Sequence, residues 1–419
     1  MLPGTDPGAG TVERYMVLGL AVGRHIPGFV DAYYGPEELA LRASAGSPLA
    51  PEALVAEARS LLASIDAGEA LGDPVARTGE SAEAEGLSAA DAATRRRWLR
   101  AQVVGVLTSA RILAGEAIGY ADEVESCYGV RPRRPLEQDV LDAHRELDEV
   151  VPGRGALEER YVAWRESQAV PPELLDRAIR SLAEDLRERT SAMFGLPDGE
   201  RVEWVLARDE PWSGFNYYLG DLASRVAVNV DLPVLSTSLA HLVAHEAYPG
   251  HHTEHTRKEA GLVRSRHWWE ESLFLVGTPQ CLVAEGLADL GLEVAMGERP
   301  ERAIAAHLVP LGVAYDADTV AVVSAAAERL SSVRALAAFR LHEDHADPEL
   351  VADEVARLAL LPAARARKTV DFLRDPTWRS YISCYTEGLP LCRAYVGGRP
   401  ERFARLVTEQ CVPSDLARP

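Results

Sequence analysis

The sequence predicts a mainly α-helical protein with a small β-sheet set among the helices. Ala, Leu, Arg and Glu dominate its 419 residues, and segments such as "TRRRWLRAQVVGVLTSARILAGEAI" (94–118) repeat apolar residues at spacings of three and four. The helical pattern stops between about 201 and 232, where "SRVAVNVDL" alternates polar and apolar residues as a half-buried strand does. We therefore expect long helices as the framework, with a short sheet near the middle of the chain.

The order of these patterns suggests two parts, an N-terminal helical part (1–200) and a C-terminal part with the sheet and further helices (201–419). Within the first part, residues 66–93 are small, polar and rich in Gly and Pro, so we expect an exposed connection there. Helical spacing returns after the strand in "PVLSTSLAHLVAHEAY", where Ser236 or Thr237 is available as an N-cap.

Composition and charge exclude several classes of function. The apolar content of 47% is sufficient for a sizeable core, and the formal net charge of -20 argues against a nucleic-acid ligand. The basic run "RRRWLR" (95–100) is expected to be the solvated face of a helix. The N-terminus lacks the basic and apolar regions of a leader, and no apolar run approaches the roughly 18 residues of a membrane span.

The cysteines indicate a reducing compartment. The five cysteines are odd in number, scattered and without a CxxC pair, so neither a disulfide framework nor a cysteine-zinc module is indicated. Together with the missing leader, this predicts a soluble cytoplasmic protein that has no membrane partner.

A histidine-rich stretch, "HEAYPGHHTEH" (245–255), holds four of the eleven histidines and begins like the zinc-binding pattern HExxH. A catalytic zinc ion usually has three protein ligands, and a helix supplies two of them from histidines four residues apart. Here Pro249 stands at the fifth position and has no N–H for a helical bond to the carbonyl of His245. We therefore expect a kink or bulge after His245, with Gly250 absorbing an unusual backbone conformation.

Two histidines could join His245 as ligands. On an uninterrupted helix His252 would return to the same face, but about 10.5 Å further along the axis. If Pro249 and Gly250 bulge out instead, His251 takes the place of the second histidine of HExxH. We favour His251 as the ligand and keep His252 as the alternative ligand. If His252 does not ligate, we expect it to donate a hydrogen bond behind the site or to contact the substrate.

The remaining parts of a zinc site are also present. Glu246 directly follows the first ligand, the position at which HExxH proteins carry the general base. The segment "CLVAEGLADLG" (281–291) offers Glu285 as a third ligand. One turn later, Asp289 could accept the spare N–H of a ligand histidine and fix its tautomer. The sequence therefore predicts Zn²⁺ as the cofactor.

Four segments carry a resemblance to a known family: "FNYYLGD" (215–221), "HEAYPGHH" (245–252), "EGLADLG" (285–291) and "CYTEGLPL" (384–391). They resemble the HExxPGHH signature and flanking pattern of the bacterial domain-of-unknown-function 885 family, which looks like a distant relative of the HExxH zinc peptidases of the thimet oligopeptidase and thermostable carboxypeptidase type. The resemblance covers the C-terminal half of the chain. It implies a large helical zincin-like peptidase fold with a small β-sheet beside the active-site helix.

The resemblance also bears on single residues. It favours His251 over His252 as the ligand. In related peptidases a tyrosine of a C-terminal helix donates a hydrogen bond to the oxyanion, which makes Tyr385 the first candidate and Tyr381 the second; a buried core tyrosine is an equal alternative. Relatives carry Trp where this chain has Leu287, so an aromatic wall of the pocket is expected to be missing.

The function expected from these residues is a zinc-dependent hydrolase, a metallopeptidase that cleaves short peptides with Glu246 as general base. The strand "RVAVNVD" (225–231) either pairs with an extended peptide substrate or is a purely structural edge strand. Two other hypotheses stay open at this point, a non-catalytic helical metal-binding module and a metal amidohydrolase that acts on a non-peptide amide. The end of the peptide at which cleavage occurs and the oligomeric state do not follow from the sequence.

Overall fold

The computed structural model describes residues 10–72, 88–210 and 212–417, and it confirms a mainly helical fold with small sheets. Within these ranges no helix combines the length and apolar character needed to cross a bilayer. The α-helices are, in chain order, α1 (Thr11–Gly23), α2 (Glu37–Ser44), α3 (Pro51–Asp66), α4 (Ala89–Leu113), α5 (Tyr120–Tyr128), α6 (Glu137–Val150), α7 (Leu157–Ser167), α8 (Pro172–Phe194), α9 (Ser236–Glu246), α10 (His251–Lys258), α11 (Pro279–Met296), α12 (Glu301–Leu308), α13 (Ala317–Ser331), α14 (Val333–His342), α15 (Pro348–Leu358), α16 (Ala363–Arg374), α17 (Ile382–Val396), α18 (Pro400–Leu406) and α19 (Pro413–Leu416).

Short strands in the described ranges form two small sheets. Strand β1 (Val30–Tyr33) pairs antiparallel with β5 (Leu273–Leu275), although 240 residues of chain separate them. The other sheet has the order β2 (Arg201–Ala207), β4 (Ala223–Asn229), β3 (Gly214–Gly220), with β4 parallel to β2 and antiparallel to β3. A π-helical turn (Glu259–Arg264) continues α10, and 3₁₀ turns cover Trp269–Ser272 and Val309–Leu311.

Strand β4 differs from the expectation for the stretch 225–231. It is the central strand of its sheet, so both of its edges are already paired and it cannot receive a peptide. Its residues are buried from Val226 to Val228, and Val228 packs in one apolar cluster with residues of α8 and α9. The strand ends at Asn229, whose side chain bonds the carbonyl oxygens of Glu210 and Trp212. The edge strands are therefore β2 and β3.

Three further details differ from the sequence-based expectations. Helix α9 begins at Ser236 without a side-chain cap, because the Ser236 hydroxyl donates instead to the carbonyl oxygen of Ala314. Residues 89–93 already belong to α4, which shortens the expected connection at 66–93. The greater part of that connection, residues 73–87, lies outside the described residues.

Arg95 does not lie on a solvated helix face, contrary to the expectation for the run at 95–100. Its guanidinium is buried and bonds both carboxylate oxygens of Glu270, at 2.5 and 2.7 Å. A buried charge is tolerated when an opposite charge satisfies its hydrogen bonds. Glu270 supplies that charge, but it follows Arg95 by 175 residues, so the pair could not be predicted from the sequence. Arg100 behaves as expected and pairs with Asp66 at the surface.

The apolar core crosses the predicted boundary at residue 200. Helices α1, α3 and α4 pack with one another and with Leu273 and Leu275 of β5. Helices α5 and α6 share a second cluster with α13 to α17 and with the first turn of α11. The two parts of the chain thus contribute to common cores, and the division of the chain at residue 200 stays a prediction.

Helices α11 and α17 cross so closely that no side chain fits between them at Gly286 and Gly388. A Cβ at Gly286 of α11 would overlap the backbone of Gly388 of α17, and a Cβ at Gly388 would lie 2.7 Å from the carbonyl oxygen of Leu282. The two glycines therefore let the helix axes approach. Because of this approach, Tyr381 at the start of α17 reaches Glu285 on α11.

We expect Gly286→Ala to destabilise the protein by about 1–3 kcal/mol, because the added methyl group must push α17 away from α11. Gly261→Ala is the matched control, since nothing lies within 4 Å of a Cβ at that position. Urea unfolding of both variants measures the difference. A Gly286→Ala protein as stable as the control would contradict a close crossing at this point.

Candidate metal centre

The chain breaks between α9 and α10 at the Pro-Gly pair of the histidine-rich stretch. Ala247 leaves the helical conformation at φ −125°, ψ −79°, and the Tyr248–Pro249 peptide is cis. The Gly250 N–H still bonds the carbonyl oxygen of Ala244 at 2.9 Å, and a Cβ at residue 250 would overlap the carbonyl of His245. Only glycine allows the backbone to turn back this closely, so that α10 starts directly at His251.

This turn brings His251 to His245. Their Nε2 atoms are 3.2 Å apart, and the two imidazole rings meet nearly edge to face. Glu285 of α11 completes the group, with Oε2 3.4 Å from His245 Nε2 and Oε1 3.6 Å from His251 Nε2. The structure thus places together the three side chains that the sequence predicts as metal ligands.

His252 points away from this group. It is fully buried, its Nδ1 lies 2.8 Å from the hydroxyl of Ser224, and its Nε2 lies 2.8 Å from Oε2 of Glu200. The same Glu200 oxygen accepts a hydrogen bond from Tyr248 at 2.7 Å. His252 therefore ties α10 to β4 and to Glu200, the residue directly before β2, and it takes no place in the ligand group.

Asp289 contacts His245, the first candidate ligand, on the ring nitrogen that faces away from the other two. Its Oδ1 is 2.9 Å from Nδ1 of His245, which leaves Nε2 of that ring facing His251 and Glu285. His241, one turn earlier on α9, approaches the same Oδ1 at 3.5 Å and is about half exposed. His241 was not among the residues predicted from the sequence, although "HLVAHE" places it four residues before His245.

The electrostatic field between the three candidate ligands favours a positive charge. Burial disfavours a charged imidazole, but the contacts with Asp289 and Glu285 raise the pKa of His245 well above its usual range. Burial lowers the pKa of His251 to about 4, so this ring is a neutral lone-pair donor. Burial acts to raise the pKa of Glu285, but the two imidazoles act more strongly in the opposite direction. The pKa of Glu285 is therefore below its usual value.

The group fits a zinc ion by a direct comparison of distances. Zn–N and Zn–O bonds of about 2.0–2.2 Å in a tetrahedron place the ligand atoms about 3.3–3.5 Å apart. The two Nε2 atoms are 3.2 Å apart, His245 Nε2 is 3.4 Å from Oε2 of Glu285, and His251 Nε2 is 3.6 Å from the other oxygen, Oε1. These values lie near the expected range, although the two glutamate distances end on different oxygens. Oε2 of Glu285 is buried without a hydrogen-bond partner among the described residues, as expected for an atom that ligates. Both imidazoles retain 12–13% of their exposure, so solvent and a substrate can reach the group.

Glu246 lies beside the ligands but takes no place among them. The side chain of Asn216 on β3 donates to its backbone carbonyl at 2.5 Å, and a Cβ at Gly214 would lie 3.2 Å from its Oε1. Burial, with the negative charge of Glu285, raises the pKa of Glu246 to about 7, although the charge of His245 acts in the opposite direction. Asn216 lies in the segment "FNYYLGD" (215–221), but no role was predicted for it from the sequence.

The two tyrosines at the start of α17 differ in their partners. The Tyr381 hydroxyl donates to Oε1 of Glu285 at 2.8 Å, so it helps to orient that carboxylate. The Tyr385 hydroxyl is 3.4 Å from the Tyr381 oxygen, a long contact that leaves its proton available to another acceptor. Leu287 is wholly buried in an apolar cluster with Phe194 and Phe403.

We expect Asp289→Ala to lower zinc affinity by about 10–100-fold, because the tautomer and orientation of His245 lose their support. Competition with a chromogenic chelator measures the affinity. Asp353→Ala, at an exposed position on α15, is the control. Unchanged affinity in Asp289→Ala would show that α9 alone orients the ligand.

Comparison with known proteins shows the fold and no more. No family model matches the chain, and no curated protein matches it by sequence. The crystal structure of a "putative lipoprotein" from Colwellia psychrerythraea is similar, with a TM-score of 0.52 and 16% identity. The similarity covers 87% of this chain but only 65% of that protein. At this identity the likeness is one of fold and carries no statement about activity.

Proposed function

We propose that the protein is a zinc-dependent metallopeptidase that cleaves short peptides. The observation that carries this proposal is the convergence of His245, His251 and Glu285 beside the buried carboxylate of Glu246. Two imidazoles and one carboxylate are a ligand set of catalytic zinc sites, which keep a further position for water or substrate. A purely structural zinc site would instead be closed by a fourth protein ligand.

Each residue around the group has a role in this proposal. A bound zinc ion would polarise the scissile carbonyl and acidify a water molecule. Glu246 accepts a proton from the attacking water and returns it to the leaving amine. The Tyr385 hydroxyl donates to the carbonyl oxygen as negative charge develops there. Asp289 and Tyr381 hold His245 and Glu285 in their orientations.

The substrate in this proposal is an extended peptide that lies along β3. This strand is an edge strand, and its outer side makes no backbone hydrogen bond to the described part of the chain. Its first residue, Gly214, lies against the Glu246 carboxylate, so a peptide paired with the strand would pass the ligand group. Trp212, Phe215 and Tyr217 form an aromatic cluster at the same place, which offers apolar contacts to substrate side chains.

We also propose that the fold is a helical zincin-like peptidase fold. Support comes from the order of its parts: an edge strand, a helix that ends in a ligand and a base, and a later helix with the carboxylate ligand. The HExxPGHH resemblance points in the same direction.

Zinc content and peptide cleavage test the proposal together. Purified without chelator, the protein is expected to hold about one zinc ion per chain and to cleave members of a mixed peptide library. Dialysis against a chelator should abolish cleavage, and added zinc should restore it. A protein that takes up no zinc would refute the site. Zinc binding with hydrolysis of non-peptide amides alone would indicate an amidohydrolase, and zinc binding without any hydrolysis a binding module.

A further inference from the structure

A cleft of about 800 Å³ lies outside the candidate metal centre. Its walls come from α4, from α10 and the π-helical turn that continues it, and from α18 with the residues that follow. Its lining in the described part of the chain includes neither the three candidate ligands nor Glu246. Sites for small molecules commonly have volumes of about 300–1,000 Å³, and π-helical turns are frequent at functional sites. The cleft is therefore large enough for an organic ligand.

Four arginines from distant parts of the sequence meet at this cleft, which we call the arginine cleft. They are Arg97 on α4, Arg257 on α10, Arg266 just beyond the π-helical turn, and Arg405 on α18. The chain as a whole has a formal net charge of -20. A group of guanidinium side chains in one cleft therefore differs from the average surface of this protein, and it favours a negatively charged ligand.

Two of the four arginines already have a carboxylate partner. Nη2 of Arg97 lies 3.0 Å from Oδ1 of Asp415, and Nε of Arg405 lies 3.0 Å from Oε2 of Glu409. A third acidic residue of the lining, Asp91, accepts a hydrogen bond from the N-cap hydroxyl of α4. The acidic residues of the cleft thus neutralise Arg97 and Arg405 and form no ion pair with the other two arginines.

Arg257 and Arg266 have no carboxylate partner in the ranges that the structure describes. Arg257 is half-buried, and its Nη1 donates only to the carbonyl oxygen of Gly195, at 3.3 Å. Arg266 is exposed, and its guanidinium carbon lies 5.3 Å from the ring centre of Trp268. A guanidinium group has five N–H donors, so most donors of both side chains are available to a ligand.

We propose that the arginine cleft binds a small organic dianion, a phosphate monoester or a dicarboxylate, through Arg257 and Arg266. Guanidinium groups bind phosphate and carboxylate oxygens through charge-assisted hydrogen bonds, which are often bidentate. Two arginines without a carboxylate partner match two negative charges, whereas a neutral or cationic ligand would leave both unpaired. The inference does not depend on the proposed peptidase function, because the cleft is separate from the metal ligands.

Calorimetric titration of the zinc-loaded protein with phenyl phosphate and with succinate tests the inference, at about pH 8, where both carry two negative charges. We expect about one molecule of at least one of them to bind per chain. Arg257→Gln should weaken this binding about ten-fold or more, since a hydrogen bond to a charged group is worth roughly that factor. Arg266→Gln should weaken it about two- to five-fold, because an exposed charge contributes less. Arg302→Gln, at an exposed position on α12, is the matched control and should bind like the wild type.

A second titration separates the arginine cleft from the metal centre, because a zinc ion also binds phosphate and carboxylate oxygens. It uses protein from which a chelator has removed the metal and dialysis has removed the chelator. A similar dissociation constant with and without zinc supports the arginine cleft, and binding that disappears with the metal would overturn the inference. Binding of one probe alone identifies the ligand as a phosphate ester or as a dicarboxylate.

Two further results would overturn the inference. One is a wild-type protein that binds neither probe, and the other is unchanged binding in the Arg257→Gln/Arg266→Gln double variant. Circular dichroism checks that each variant keeps its helical content. The exposed position of Arg266 provides a test even if Arg257→Gln fails to fold. A protein that binds a probe in this cleft but cleaves no peptide would refute the proposed peptidase function and would leave this inference intact.

Discussion

Glu246→Gln is expected to keep about one zinc ion per chain and to lower kcat by about 10²–10⁴-fold. General base catalysis typically contributes a factor of this size, and a neutral amide cannot accept the proton. The substitution preserves the shape of the side chain. The backbone hydrogen bond from Asn216 involves the carbonyl of residue 246, so it is retained.

Zinc analysis and initial rates on one library-derived peptide measure this effect. Glu298→Gln, at an exposed position just beyond α11, serves as the control for the loss of one carboxylate. Full activity in Glu246→Gln would show that Glu246 is not the general base and that another group accepts the proton of the attacking water. Loss of zinc together with activity would mean that residue 246 contributes to the metal site.

The second large effect is expected from the two neighbouring histidines. His251→Ala should lose its zinc on dialysis, because one of three ligand atoms disappears and the two that remain, on His245 and Glu285, cannot hold the ion alone. His252→Ala should keep about one zinc ion. It should instead lose roughly 1–3 kcal/mol of unfolding free energy, since the buried Ser224 hydroxyl loses its partner and Glu200 loses one of its hydrogen-bond donors.

The two variants control for each other because both remove one imidazole from the same helix. Metal analysis and urea unfolding of each variant should show that zinc content and stability change separately. His251→Ala should lose zinc, and His252→Ala should lose stability. Zinc loss in a folded His252→Ala protein, with retention in His251→Ala, would show that the chain runs through Pro249 differently from the structure described above.

The sequence was sufficient for the parts of the site that depend on neighbouring residues. His245 and Glu246 are adjacent, and Pro249 cannot donate a helical hydrogen bond to the carbonyl of His245, so an interruption of the motif could be predicted from local chemistry. The assignment of Glu285 and Asp289 depended on their spacing of four residues, which places them on one face of any helix. The mainly helical fold likewise followed from periodicity.

Residues that are distant in the sequence could not be predicted in this way. The position of β4 between β2 and β3 depends on strand pairing, which no local pattern records, and so does the pairing of β1 with β5 across 240 residues. The role of Arg95 depends on Glu270, and the place of Tyr381 depends on two glycines in different helices.

The sequence by itself determined that the chain is mainly helical and that a broken helix carries a zinc-type set of side chains, because backbone propensity and side-chain spacing act over a few residues. Only the tertiary structure decided which histidine turns to His245 and which is buried against Glu200. It alone brought β1 from the N-terminal half to β5 and against β3. Contacts of this kind form when distant elements bury common apolar surface, and their geometry is set by the packing of the whole core.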